Sequence, residues 1–235
     1  MGRAHPQRAR CALRPHGRDR AAVEEARRPT VLGGRAIPAA LDAIAAKLRD
    51  TGYLRGLPRR EVAEPAADTM SELNAVHPFR GGNGRTQRVF MEQLAQAAGH
   101  DLDFTVISKE RMTQASIAAN EQGDLSMMRR MFDEISDPAR TALPRQSLAS
   151  LDKLNFPWND RYVATLEPGH PTELGLAGAA GDQFMGRTRT EILFGKSADL
   201  PEPRPKPGET FLVTATAYAR QEKRGARRKQ KPSGG

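Results

Sequence analysis

Cysteine is nearly absent from this chain of 235 residues: Cys11 is the only one. No disulfide can form within the chain, which excludes a disulfide scaffold and fits a reducing compartment. Aromatic residues supply only 5% and apolar residues 38%, a lean composition for a soluble globular protein. No stretch approaches the ~18 consecutive apolar residues of a membrane-spanning helix, so an integral membrane protein is excluded. The chain is still long enough to bury roughly 70% of its unfolded surface, so its core does not depend on metal or disulfide staples. Excess positive charge is missing from the middle. The formal net charge is +9, but residues 1–28 hold eight arginines against Asp19, Glu24 and Glu25, and residues 220–235 hold seven basic residues against Glu222. The stretch between them is slightly acidic and lacks the basic balance of a nucleic-acid module.

Residues 1–28 show no apolar periodicity and are predicted to be a disordered basic segment. They contain neither the apolar region of a secretory signal nor the amphipathic face of a transit peptide. Helical spacing begins at Pro38, with Leu41, Ile44, Ala45 and Leu48 on one face. A second helix is expected from Pro58 to Val76, using Val62, Ala66, Met70 and Leu73, with a break at Pro65. A third is expected from Thr86 to Ala98, with Val89, Phe90, Leu94 and Ala97 inward and Gly99 beyond its end. Ser108 caps a fourth, reaching about Asn120. Asp124 caps a fifth, with Leu125, Met128, Phe132 and Ile135 inward; Met127, Met128 and Met131 read as core filling. A sixth runs from Pro138 to Lys153 across Pro144. The short apolar runs RYVATL, LGLAGAAG, EILFG and TFLVTATAY then indicate four or five strands, suiting a small barrel or, more plainly, an open sheet. PEPRPKPG, residues 201–208, reads as a stiff extended spacer. The expected organisation is a mainly α chain: a disordered segment 1–28, a helical domain 29–153, a small β unit 154–217 and a basic disordered tail 218–235.

The stretch HPFRGGNGRTQR, His77 to Arg88, lies between two predicted helices. Gly82, Asn83 and Gly84 can turn backbone N–H groups inward as an anion-binding nest. The helix that follows adds unpaired N–H donors and partial positive charge, which suit a phosphate. Arg85 and Arg88, three apart, can grip outer phosphate oxygens. His77, just before the loop, can take a proton from an attacking hydroxyl near neutral pH.

These residues resemble the motif of the Fic (Fido) family, His-x-Phe-x-Asp/Glu-Gly-Asn-Gly-Arg-x-x-Arg: His77, Phe79, Gly82, Asn83, Gly84, Arg85 and Arg88 match, and Gly81 does not. The resemblance implies an all-helical Fic domain and transfer of AMP from ATP to a Ser, Thr or Tyr hydroxyl of a target protein. It implies His77 as the base, Phe79 as an anchor of the loop in the core, Gly82, Asn83 and Gly84 as the phosphate cradle, and Arg85 and Arg88 on the outer phosphates. VLGGRAIPAALDAIAAKL resembles the family's target-docking flap and following helix through Gly33, Gly34 and Pro38. The stretches NDRYVATLEPGHP, FMGRTRTEILFG and PKPGETF resemble the OB-like barrel that follows the Fic domain in bacterial type IV secretion effectors. This implies a bacterial cytoplasmic protein, secreted through a type IV system, with a secretion receptor as a further partner.

Gly81 stands where the family carries the carboxylate that holds Mg²⁺ on the ATP phosphates, so the expected cofactor loses its protein ligand and transfer is expected to be weakened. Residues 1–28 stand where the family has its first helices. No inhibitory Ser/Thr-x-x-x-Glu-Gly/Asn helix is present, so an inhibitor would be a separate antitoxin-like protein. Two alternatives accompany adenylylation. One is a catalytically silent nucleotide- or partner-binding module of a secretion or conjugation system. The other, nucleic-acid binding, is disfavoured and would need Tyr162, Phe184, Phe194 and Phe211 exposed for stacking.

Overall fold

The computed structural model describes residues 36–218. The predicted basic segments at either end lie outside the described residues, apart from Tyr218. Among the described residues six α-helices precede a sheet: α1 Ile37–Asp50, α2 Ala63–Val76, α3 Asn83–Ala97, α4 Lys109–Gln122, α5 Ser126–Ile135 and α6 Pro138–Lys153. α1 starts with Pro38 in its first turn and buries Ile44 and Leu48, while Ala45 faces outward. The expected break at Pro65 does not occur. A single 3₁₀ turn, Arg59–Glu61, comes first, and α2 starts at Ala63, so Pro65 falls in the first turn, where a missing N–H costs no helical hydrogen bond.

α2 is the central helix. It buries Ala63, Ala66, Ala67, Met70, Leu73 and Val76 against its neighbours, above all the Met128, Met131, Phe132 and Ile135 face of α5. Met128 and Met131 are fully buried, as core filling requires. Phe104 meets Phe132 edge to face, with ring centroids 5.9 Å apart. Ser108 caps α4 by accepting from the Arg111 N–H. α5 starts two residues after Asp124, whose carboxylate accepts from the Ser126 N–H.

The strands are β1 Tyr162–Thr165, β2 Pro171–Ala180, β3 Gln183–Arg187, β4 Glu191–Lys196 and β5 Thr210–Thr214. β3, absent from the apolar runs, pairs antiparallel with both β2 and β4 and brings Phe184 inside. At Gly195, opposite Phe184, an added Cβ would lie 2.6 Å from the Phe184 ring, so only glycine fits there. The sheet order is β1-β4-β3-β2-β5. The expected barrel is therefore not closed. β5 lies on the outer side of β2, and the far edge of β1 is taken by helical side chains instead of a strand.

That edge forms the joint between helices and sheet. The Val163 N–H donates to Ser108 Oγ, the Val163 carbonyl accepts from Arg111 Nη1 at 3.2 Å, and the Thr165 N–H donates to Glu134 Oε1 at 3.0 Å. Arg111 and Glu134, both almost fully buried, pair at 2.9 Å. Arg140 adds a bond from Nε to Thr165 Oγ1 at 3.0 Å. Burial alone would push the Arg111 guanidinium down; the Glu134 carboxylate and the Tyr162 hydroxyl outweigh it and hold it above its ordinary value. Tyr218 donates to the Leu166 carbonyl, and burial pushes its phenol up to about 12.

Candidate functional site

The His77–Arg88 loop joins the end of α2 to the start of α3. α2 stops at Val76 because His77 turns left-handed, at φ 45° and ψ 59°, while its N–H still donates to the Leu73 carbonyl at 3.1 Å. A residue with a Cβ adopts this conformation at a cost and only where its surroundings hold it. The turn sets the half-buried His77 at the mouth of the loop instead of carrying it on around the helix. Gly82, at φ 80°, makes the second left-handed turn, and α3 begins at the next residue. Its carbonyl already accepts from the N–H groups of Arg85 and Thr86. The N–H groups of Asn83 and Gly84, in the first turn, have no carbonyl within the helix to bond and are available to an anion.

α3 starts three residues earlier than its apolar spacing suggests, and it presents a different face inward. Asn83, Gln87, Met91 and Ala95 are buried, whereas Val89 is 44% and Phe90 37% exposed and Ala97 faces outward. The expected inner stripe of Val89, Phe90, Leu94 and Ala97 is thus wrong apart from the part-buried Leu94. The loop must leave α2 and enter α3 with its amides bonded, and the i, i+4 row beginning at Asn83 is the row that achieves this.

Asn83 spends its side chain on the loop itself. Its Oδ1 accepts from the Phe79 N–H at 2.9 Å and its Nδ2 donates to the Phe79 carbonyl at 2.5 Å. The Phe79 ring is 52% exposed instead of sitting in the core. The main chain of Phe79, not its ring, is what ties the loop down. Arg85 and Arg88 are both exposed, and Arg88 Nε reaches back to the Gly84 carbonyl at 3.1 Å, which sets this guanidinium along the first turn. Gly81 is exposed, its φ is not left-handed, and an added Cβ there would meet nothing within 4 Å. Backbone geometry and space therefore do not require glycine at 81. His77, Gly82, Asn83, Gly84, Arg85 and Arg88 all lie on one helix–loop–helix turn.

Gln87 occupies an unspecified position of the motif, yet its buried amide donates to the Leu73 carbonyl at 3.0 Å. The signal was its i, i+4 spacing between Asn83 and the apolar Met91.

Residues 12–95 match the Fic/DOC family. A protein adenylyltransferase of Bartonella henselae is 37% identical over 171 residues, covering 72% of this chain and 31% of that protein. The probable protein adenylyltransferase Fic of Escherichia coli K12 is 38% identical over 98 residues, covering 42% of this chain and 48% of that protein. Among solved structures, the type IV secretion system effector protein BepA superposes with a TM-score of 0.75 at 35% identity, covering 81% of this chain and 65% of that one. The chain thus spans about a third and about half of the two curated relatives. The likeness to BepA extends past α1 to α6, because its coverage of this chain exceeds what those helices alone would give.

Phe184, Phe194 and Phe211 are buried, and the part-buried Tyr162 has the Arg111 guanidinium 5.5 Å from its ring centroid. Among the described residues no helix is long and apolar enough to cross a membrane.

Proposed function

We propose that this protein transfers AMP from ATP to a hydroxyl side chain of a target protein, at a rate held down by Gly81. The observation that carries this is the loop geometry: a left-handed His77 ends one helix, Gly82 turns the chain into the open N-terminus of the next, Arg85 lies in its first turn, and Arg88 reaches back from the second to the Gly84 carbonyl. The target oxygen attacks the α-phosphorus and an O–P bond forms. The bond from that phosphorus to the oxygen bridging the β-phosphate breaks, pyrophosphate leaves with the electron pair, and His77 takes the hydroxyl proton. The N–H groups at the start of α3 and the two arginines hold the phosphates. Similarity to a type IV secretion effector supports, as part of the same proposal, translocation by such a system.

Family chemistry calls for Mg²⁺, and the residues present do not fit it. Gly81 offers no side-chain oxygen, and no group of three His, Cys, Asp or Glu among the described residues can hold a metal. The same glycine favours a second function, a silent nucleotide- or partner-binding module.

Gly81→Glu separates the two. Glutamate fits at this position, and we expect labelled AMP from ATP to enter lysate proteins at least tenfold faster than with the parent, an effect removed by chelator. His77→Ala in the same background should abolish labelling and leave ATP affinity within about twofold, because a base acts on the transition state. If Gly81→Glu folds and binds ATP yet labels no faster than the parent, the silent module is the better account.

A further inference from the structure

We propose that Gln87 is a positioning residue: from the inner face of α3 it holds the last turn of α2, and with it the left-handed backbone of His77. Its position is one an apolar side chain would ordinarily fill, four residues from Asn83 and four from the fully buried Met91. Burying an amide there is unfavourable unless the amide is bonded, and Gln87 Nε2 donates to the Leu73 carbonyl at 3.0 Å. The His77 N–H donates to the same oxygen at 3.1 Å. Donors on either side of the loop, ten residues apart, therefore converge on one carbonyl of α2.

Asn83 fixes the middle of the same loop through the Phe79 main chain. Each tie restrains a different part: Gln87 the exit from α2, Asn83 the turn, and Gly82 the entry to α3. Without Gln87, the Leu73 carbonyl keeps only the bond to His77, and the helix end that sets the imidazole's direction loses its tether to α3. Gln87 itself is buried, so its effect on the chemistry runs through His77. What His77 is positioned for rests on the AMP-transfer function proposed above; that it is positioned by Gln87 does not.

The test has two arms. Gln87→Met keeps the volume and removes the donor; Gln87→Glu keeps the polarity and, ionised, also lacks the donor. In both, amide exchange at His77, read by NMR on the full chain, should speed up about five- to tenfold, while the Met70 amide in the middle of α2 stays within twofold. His77 protection unchanged in both variants would overturn the proposal, as would equal loosening of His77 and Met70, which would mark a merely structural residue. The second arm repeats Gln87→Met in the Gly81→Glu background. The saturating rate of AMP labelling of lysate proteins should fall at least tenfold, with the half-saturating ATP concentration within twofold. A rate unchanged by Gln87→Met overturns the positioning role. If Gly81→Glu transfers nothing, the AMP-transfer function fails, and the exchange measurement alone decides on Gln87.

Discussion

Two regions of this molecule bury polar side chains, and they do so differently. At the loop, Asn83 and Gln87 are neutral amides bonded to main-chain atoms of Phe79 and Leu73, and beside them lie the exposed side chains of Phe79, Val89 and Phe90. At the joint, Arg111 and Glu134 are charged, almost wholly buried, and closed in by Ser108, Arg140 and the edge of β1. A neutral amide can hold a backbone in place at modest desolvation cost, so it suits a loop that must keep a fixed shape and still admit a ligand. A buried ion pair carries a larger penalty and tolerates no missing partner, which suits a joint that stays shut. It also leaves no free edge on β1, so the sheet is mounted on the helices instead of hanging from them.

The largest expected effect strikes the joint. Glu134→Ala leaves the Arg111 guanidinium buried without its carboxylate and the Thr165 N–H without its acceptor, and should cost about 3–5 kcal/mol in denaturant unfolding. A loss under about 1 kcal/mol would show that water reaches the joint and would erase the contrast between the two regions. Asn83→Ala should cost less, about 1–2 kcal/mol, because two bonds to neutral main-chain groups are lost near the surface. The measurement also sharpens its role: unchanged stability with weakened ATP binding would make the side chain a phosphate ligand and not a loop clamp. The smallest effect is expected outside the clamp. Phe90→Ser, on the exposed side of α3, should shift stability by no more than about 0.5 kcal/mol, and a larger destabilisation would mean that the ring is covered in solution.

The helices of the core were legible from spacing, because Ile44, Leu48, Ala66, Met70, Met128 and Phe132 are apolar residues at helical intervals with a single buried side to share. α3 was misread for the same reason. Its most apolar residues, Val89 and Phe90, lie outside and its inner row begins with two amides, so hydrophobicity points to the wrong face. β3 escaped because QFMGR has polar ends and becomes a strand only between two neighbours that pair with it.

What the sequence by itself determined is the chemistry available. A histidine, a glycine-rich turn and three arginines, Arg80, Arg85 and Arg88, lie within twelve residues, with no carboxylate at position 81, and covalent order alone guarantees that these groups stay close. What only the tertiary structure decided is direction. That the His77 backbone turns left-handed, that Asn83 faces Phe79, that Gln87 shares a carbonyl with His77 and that Arg111 finds Glu134 all depend on hydrogen bonds between separate elements. Such bonds form only once burial has removed water as the competing partner, and nothing in local spacing records which partner will remain.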